Sequence, residues 1–483
     1  MRELMDTNTY RNKWWIMLAV SLTLFMGAVD GTIVNVALPT LAAEFNAPLP
    51  TVQWVVLAFL LGLSVLLLSV GRLADMVGKK RIFTLGLVIF VIGSMLCGIA
   101  PSIYALIAAR LLQSIGAAMT VALGVAIVTE TWPPEQRGQA IGFSGGVISL
   151  GIVIGPALGG LIISALNWRW IFFVNVPLGL LALILITRFI PPLQPKASRE
   201  KFDFLGAGVL AVGLLALLLA LTIGETLGFT DGRIVALLLL AVLFLALFLQ
   251  VERRAAYPMV DLSLFRNRQF SLNLLTGLLT FVAIASITFL QPFYLELVRG
   301  LPVNQVGLLI GVVPLVLAVL GPLSGSLSDR FGTRPVSLVG LGFLLIGYLT
   351  TSTLGVNTSS LGYVLRMLPI GIGMGIFQSP NNSAVMGAAP RHRLGIASGL
   401  LSMTRTLGQT MGVAFMGAFF ASRLNHFAGE PVDISRAPVT VIVQALHDQL
   451  LVVAGLIGIA LLLALWAWRR ERRQPQRPAD PAT

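Results

Sequence analysis

The chain has 483 residues, of which 56% are hydrophobic and 11% charged, with a formal net charge of +13. Soluble domains carry about 25% charged residues, and disorder needs low hydrophobicity with high charge, so both are excluded. The apolar residues fall in long blocks, not the alternating segments of roughly ten residues that build a transmembrane β-barrel, which leaves an all-α polytopic membrane protein.

A helix crosses the hydrocarbon core with about 20 apolar residues. After an N-terminus at 1–13, six spans are expected at 14–38, 51–70, 82–100, 103–128, 140–166 and 170–189. The first run is 25 residues, longer than the roughly 7–15 of a signal-peptide core, and is read as a span. Two more fall at 204–224 and 234–251, within a segment 191–269 that separates two larger units, 14–190 and 270–468. The last six are 270–297, 303–326, 336–354, 361–386, 394–421 and 446–468, followed by an Arg- and Pro-rich tail, 469–483, expected to be disordered. The external segment 422–445 is amphipathic in part and suits the membrane surface.

With fourteen spans both termini share one side. Loops on that side hold 25 of the 33 Lys and Arg, the opposite loops hold five, and Arg110, Arg366 and Arg405 lie within spans. The positive-inside rule then places both termini in the cytoplasm of a cell membrane. The basic loops meet anionic lipid headgroups; they do not point to nucleic acid. Cys97 is the single cysteine, and His392, His426 and His447 stand apart outside the spans. There is thus no disulfide framework or metal site, and no P-loop for ATP.

The two units echo each other. GRLADMVGKKR at 71–81 aligns with SGSLSDRFGTR at 324–334, placing Asp75 over Asp329, Gly78 over Gly332 and Lys80 over Arg334. Arg110 falls near Arg366, and Gly151 and Gly155 match Gly408 and Gly412 at a nearly constant offset. Repeated halves around a midplane site are the architecture of secondary transporters.

Of the 20 acids, Asp30 alone is assigned to the interior of a span. A carboxylate there costs roughly 2.5–3.5 kcal/mol on insertion scales, so it must face the bundle interior or a wet cavity. Burial and a cationic neighbour pull a carboxyl's protonation in opposite directions, as proton coupling requires. Asp30 stands about 12 Å inside the outer end of span one and Arg110 about 10 Å inside that of span four, so the two can pair, with Gln113 one turn further on. The alternative is a permanent ion pair linking helices.

Arg405 lies about 16 Å into span thirteen with Gln409 on the same face. It either contacts an anionic substrate group or hydrogen-bonds carbonyls of a broken helix. Arg366, nearer the outside, reads as structural. Asn35, Gln113, Gln291, Gln378, Arg405 and Gln409 are the candidates for lining a substrate cavity. In the 71–81 loop, Gly71 and Gly78 allow a tight turn. Asp75 can cap a helix or pair with a basic residue, and with Lys80, Arg81 and the repeat's Asp329 it forms a candidate gate latch. Gly151, Gly155, Pro156, Gly159 and Gly160 set small residues and a proline along span five. Small-xxx-small spacing permits close helix contact, so a seal between the halves is expected there.

The paired loops, LLQSIGAAM after Arg110, and GIVIGPALGG in span five resemble the major facilitator superfamily. VDGTIVNVALPTL in span one and NWRWIFFVNVPLG entering span six are similar to its fourteen-helix drug–proton antiporters of the EmrB/QacA type. The resemblance implies two six-helix bundles with two inserted helices, a proton- or substrate-linked acid at Asp30, and a role in proton transfer for Arg110. The expected activity is proton-gradient-driven export of amphipathic small molecules by alternating access, by a monomer with no cofactor and no enzymatic step. Export of a lipid or native metabolite, or a non-transporting scaffold or sensor, are the alternatives.

Overall fold

A computed structural model describes residues 12–133, 136–191, 204–254, 262–390 and 394–473. Its helices, in chain order, are α1 (Lys13–Glu44), α2 (Leu49–Val77), α3 (Lys79–Gly98), α4 (Ile103–Thr131), α5 (Arg137–Ala165), α6 (Trp170–Phe173), α7 (Asn175–Phe189), α8 (Phe204–Leu227) and α9 (Gly232–Arg254). The second unit holds α10 (Arg268–Phe293), α11 (Val303–Ile310), α12 (Val312–Phe331), α13 (Thr333–Thr351), α14 (Ser360–Ala388), α15 (Leu394–Ala428) and α16 (Val439–Arg473).

Thirteen spans among the described residues are long and apolar enough to cross a membrane. The remaining expected span is α15, a 35-residue helix whose Ser402, Thr404, Arg405, Thr406, Gln409 and Thr410 lower its hydropathy. The short break after Gly98 holds, because Ser102 caps α4 by accepting a 3.2 Å hydrogen bond from the Ala105 N–H. Helix α15 continues to Ala428 and α16 begins at Val439, so most of the segment expected at the surface is helix. Likewise α16 runs through Arg473, and the expected disordered tail is helical for its first residues; 474–483 lie outside the described residues.

Helices α1–α7 and α10–α16 form two bundles. Their repeat is visible in the backbone: Gly78 ends α2 with φ +107° and Gly332 ends α12 with φ +89°. Both are left-handed turns that L side chains disfavour. The inserted pair α8–α9 packs against α2 of one bundle and α15 of the other, and Trp54 Nε1 donates to Thr222 Oγ1 at 3.1 Å.

Calling the side that carries the chain ends the terminal face, the bundles meet toward the opposite, far face. A Cβ on Gly160 would stand 2.5 Å from Val303 O, one on Gly307 would collide with Pro156 O, and one on Gly417 would collide with the Gln53 side chain. Nearer the terminal face, Gly145 and Gly146 of α5 and Gly321 of α12 have nothing within 4 Å of a Cβ position. Gly31, midway along α1, is exposed. Among the described residues, these glycines seat the bundles on each other at the far face and make no such contact toward the terminal face.

Candidate functional site

Asp30 (0% exposed) and Arg110 (2% exposed) form a buried ion pair, Nη1 to Oδ2 at 2.6 Å. Gln113 Nε2 donates to Asp30 Oδ1 at 2.9 Å, and Asn175 Nδ2 donates to the same oxygen at 3.0 Å. Arg110 Nη1 also donates to Gln113 Oε1 at 2.6 Å, and its Nε donates to Val55 O at 3.2 Å. Its guanidinium lies 4.2 Å from the Phe59 ring centroid, within cation–π range. Ser94 Oγ accepts from Gln113 Nε2 at 2.8 Å and completes the cluster.

The local sequence explains the convergence. At Gly93 a Cβ would stand 2.7 Å from Gln113 Cα, so glycine lets α3 and α4 close until Ser94 reaches Gln113. Arg169 donates to Gly98 O at 3.1 Å and Ala100 O at 2.8 Å, satisfying carbonyls at the end of α3. Asn175 follows at the start of α7, after Val174, whose backbone is itself helical. Pro177 is tolerated there because it falls in the first turn.

The other expected residues divide. Gln113 belongs to this sealed cluster and not to a cavity. Asn35 (9% exposed) and Gln291 (5% exposed) are buried in the closed part, Gln291 Nε2 lying 3.7 Å from Met367 Sδ. Gln378, Arg405 and Gln409 are half-buried. Gly408 and Gly412 press α15 onto α10 while Gly417 presses it onto α2. At about 100° per residue, Arg405 and Gln409 fall between those directions and face the gap between the bundles. Arg405 has no hydrogen-bond or ion-pair partner among the described residues, and its guanidinium lies 5.8 Å from the Phe281 centroid. Arg366, in contrast, donates to Thr353 Oγ1 at 2.9 Å and Gly362 O at 3.0 Å.

The glycine motif also divides. Gly151, Gly155 and Gly159 pack inside one bundle, against Ala28, Thr32 and Ile33 of α1, whereas Pro156 and Gly160 lie at the seam with α11. In the 71–81 loop Lys80 Nζ donates to the carbonyls of Thr187 and Ile190 at the end of α7, and Lys79 pairs with Glu130. Arg81 is exposed. Gly71 stands within α2 rather than in a turn, so only Gly78 turns the chain there; the side chains of Asp75 and Asp329 lie outside the described residues.

One expectation changes. Glu296, already inside the bounds 270–297 expected for that span, lies in a π-helical turn, Tyr294–Val298, that prolongs α10, so Asp30 is not the sole acid within the membrane segments. Glu296 Oε1 is buried without a hydrogen-bond partner among the described residues. Asn175 and Ser94 were not singled out in the sequence, although Asn175 stands inside the NWRWIFFVNVPLG segment.

Residues 20–413 match the Major Facilitator Superfamily. The riboflavin transporter RibZ of Clostridioides difficile (strain 630) is 32% identical over 416 residues, covering 86% of this chain and 90% of the relative. Multidrug resistance protein Stp of Mycobacterium tuberculosis (strain CDC 1551 / Oshkosh) is 35% identical over 416 residues, covering 86% of this chain and 77% of the relative. Among solved structures, a bacterial homologue of the human lysosomal transporter Spinster, inward-facing and unoccupied, superposes with TM-score 0.72 at 18% identity over 97% of this chain and 99% of that one. These relatives are transporters, not enzymes.

Proposed function

The chain belongs to the Major Facilitator Superfamily, and from that premise we propose that it is a proton-driven antiporter of the fourteen-helix EmrB/QacA type. In this reading it exports amphipathic organic molecules across the cell membrane by alternating access, as a monomer with no cofactor, powered by the proton gradient. The terminal face is then cytoplasmic, as the excess of Lys and Arg in its loops supports, and the molecule as described faces inward.

The observation that carries the reading is the sealed Asp30–Arg110 pair. In the inward-facing state three side chains donate to Asp30. A shift of α4 against α1 within their shared bundle, coupled to the rocking of the two bundles, would separate Arg110 from Asp30 and leave the carboxyl with amide donors alone in an apolar site, which favours its neutral form. Proton and substrate then compete through one conformational equilibrium, and their coupling is reciprocal. Asp75, with Lys80, Arg81 and Asp329, serves as the latch on the cytoplasmic side, and Pro156 with Gly160 as the seal on the other.

The test is substrate uptake into inverted vesicles driven by a pH gradient. Asp30→Asn fixes a neutral side chain, so accumulation against a gradient stops while equilibrium binding survives. Continued uphill accumulation by a well-folded Asp30→Asn protein would reduce Asp30 to a structural partner of Arg110. The similarity to a protein named a riboflavin transporter favours a second reading, export of a native metabolite by the same machinery. A panel of drugs and metabolites in an efflux-deficient host separates the two.

A further inference from the structure

The geometry points to Arg405 as the anchor for a negatively charged group on the transported molecule, so that the preferred substrates are anionic amphipaths; this rests on the transport reading above. Arg405 sits about 16 Å into α15, on the sector that faces the gap between the bundles. An arginine at that depth is costly unless it is paired or hydrated. The other arginines within spans are satisfied, Arg110 by Asp30 and Val55 O and Arg366 by Thr353 and Gly362. Arg405 has neither an acceptor nor an acid among the described residues, and the carbonyls of its own helix are not bonded to it. Its guanidinium lies 5.8 Å from the Phe281 ring centroid, near the roughly 6 Å limit of a cation–π interaction.

Among the described residues, no acid is placed to compete for it. Asp30 is fully buried behind its own three donors, and Glu296 belongs to the π-turn at the far end of the α10 span. The gap between the bundles therefore presents a cation without a counterion, with the amides of Gln409 and Gln378 as further donors and Phe281 as an apolar surface beside it. A guanidinium fork takes carboxylate, phosphate or sulfonate oxygens in paired hydrogen bonds, and a cationic substrate would meet it as a like charge.

The experiment uses three dansyl probes on one scaffold: dansyl-glycine, which is anionic, its neutral amide, and the cationic dansyl-ethylenediamine. Binding to the purified full chain in nanodiscs is read by fluorescence, and uptake is read separately in inverted vesicles. The wild type binds dansyl-glycine in preference to the amide. In Arg405→Gln that preference falls about tenfold or more, the scale of one charge-assisted hydrogen bond, while Arg405→Lys retains part of it. A folded Arg405→Gln protein with an unchanged preference, or a wild type that binds only the neutral and cationic probes, overturns the anion site. Arg405-dependent binding of dansyl-glycine without uptake of any probe upholds the anion site and overturns transport. Uptake without an Arg405-dependent preference does the reverse.

Discussion

Asn175 of α7 and Gln113 of α4 donate to the same oxygen of Asp30, at 3.0 and 2.9 Å, and leave the other oxygen to Arg110. The neutral donors and the cation thus act on different atoms of one carboxyl. If Arg110 withdraws, the amides can still hold the carboxyl in place. Asn175→Ala should lower stability by about 1–3 kcal/mol, the cost of removing one partner from a buried charged acceptor. It should also alter the pH profile of transport more than the substrate KM. Thermal unfolding in detergent and a pH series of vesicle uptake check both; unchanged values in each would make Asn175 a spectator.

The bundles, the inserted pair and the Asp30–Arg110 match were legible because each leaves a one-dimensional trace. Apolar blocks mark spans, the repeated loop marks the halves, and depth follows from counting residues along a helix. What sequence spacing could not supply was which side chains meet across helices. Asn175 reaches Asp30 from a helix 145 residues away in sequence, and Ser94 reaches Gln113 because Gly93 lets two helices touch. Glu296 was read as a loop acid because it stands one residue from the end of the expected span, whereas the helix runs on through the π-turn to Val298. The glycine motif was read as one seam, but consecutive turns of α5 face different neighbours.

Arg110 offers a sharper test through its pairing. Arg110→Gln should destabilise the protein by about 3–5 kcal/mol, because it takes the cation from a buried ion pair and leaves the Asp30 carboxyl unmatched. The double variant Arg110→Gln/Asp30→Asn removes that stranded charge and should regain most of the loss, yet remain unable to accumulate substrate uphill. Unfolding midpoints of the four proteins in one detergent give the coupling. Equal stability of the single and double variants would show that the pair is not the energetic unit its geometry describes.

The assignment of faces is open to chemical labelling. In a Cys97→Ser background, Glu430→Cys, exposed in the turn between α15 and α16, should react with an impermeant maleimide added to intact cells. Arg266→Cys, exposed before α10, should react only after permeabilisation. The reverse pattern would invert the molecule in the membrane and with it the direction of transport.

Gly160 and Gly145 lie on the same helix and make opposite predictions. At Gly160 a Cβ would stand 2.5 Å from the Val303 carbonyl, across the seam that closes the far face, and the facing element is backbone that cannot rotate away. At Gly145, which is exposed, a Cβ meets nothing within 4 Å. Gly160→Ala should therefore penalise the inward-facing state, and each 1.4 kcal/mol of penalty changes the ratio of the two states about tenfold. The readout is outside labelling of Asn35→Cys, buried in the closed part at 9% exposure, again with Cys97→Ser. Gly160→Ala should speed that labelling about tenfold or more and slow transport, since one half of the cycle becomes costly. Gly145→Ala should leave the inward-facing state unpenalised and the labelling slow. If the two alanines label Asn35→Cys at the same rate, the far-face seam does not govern access, and Gly160 is packing like Gly151, Gly155 and Gly159.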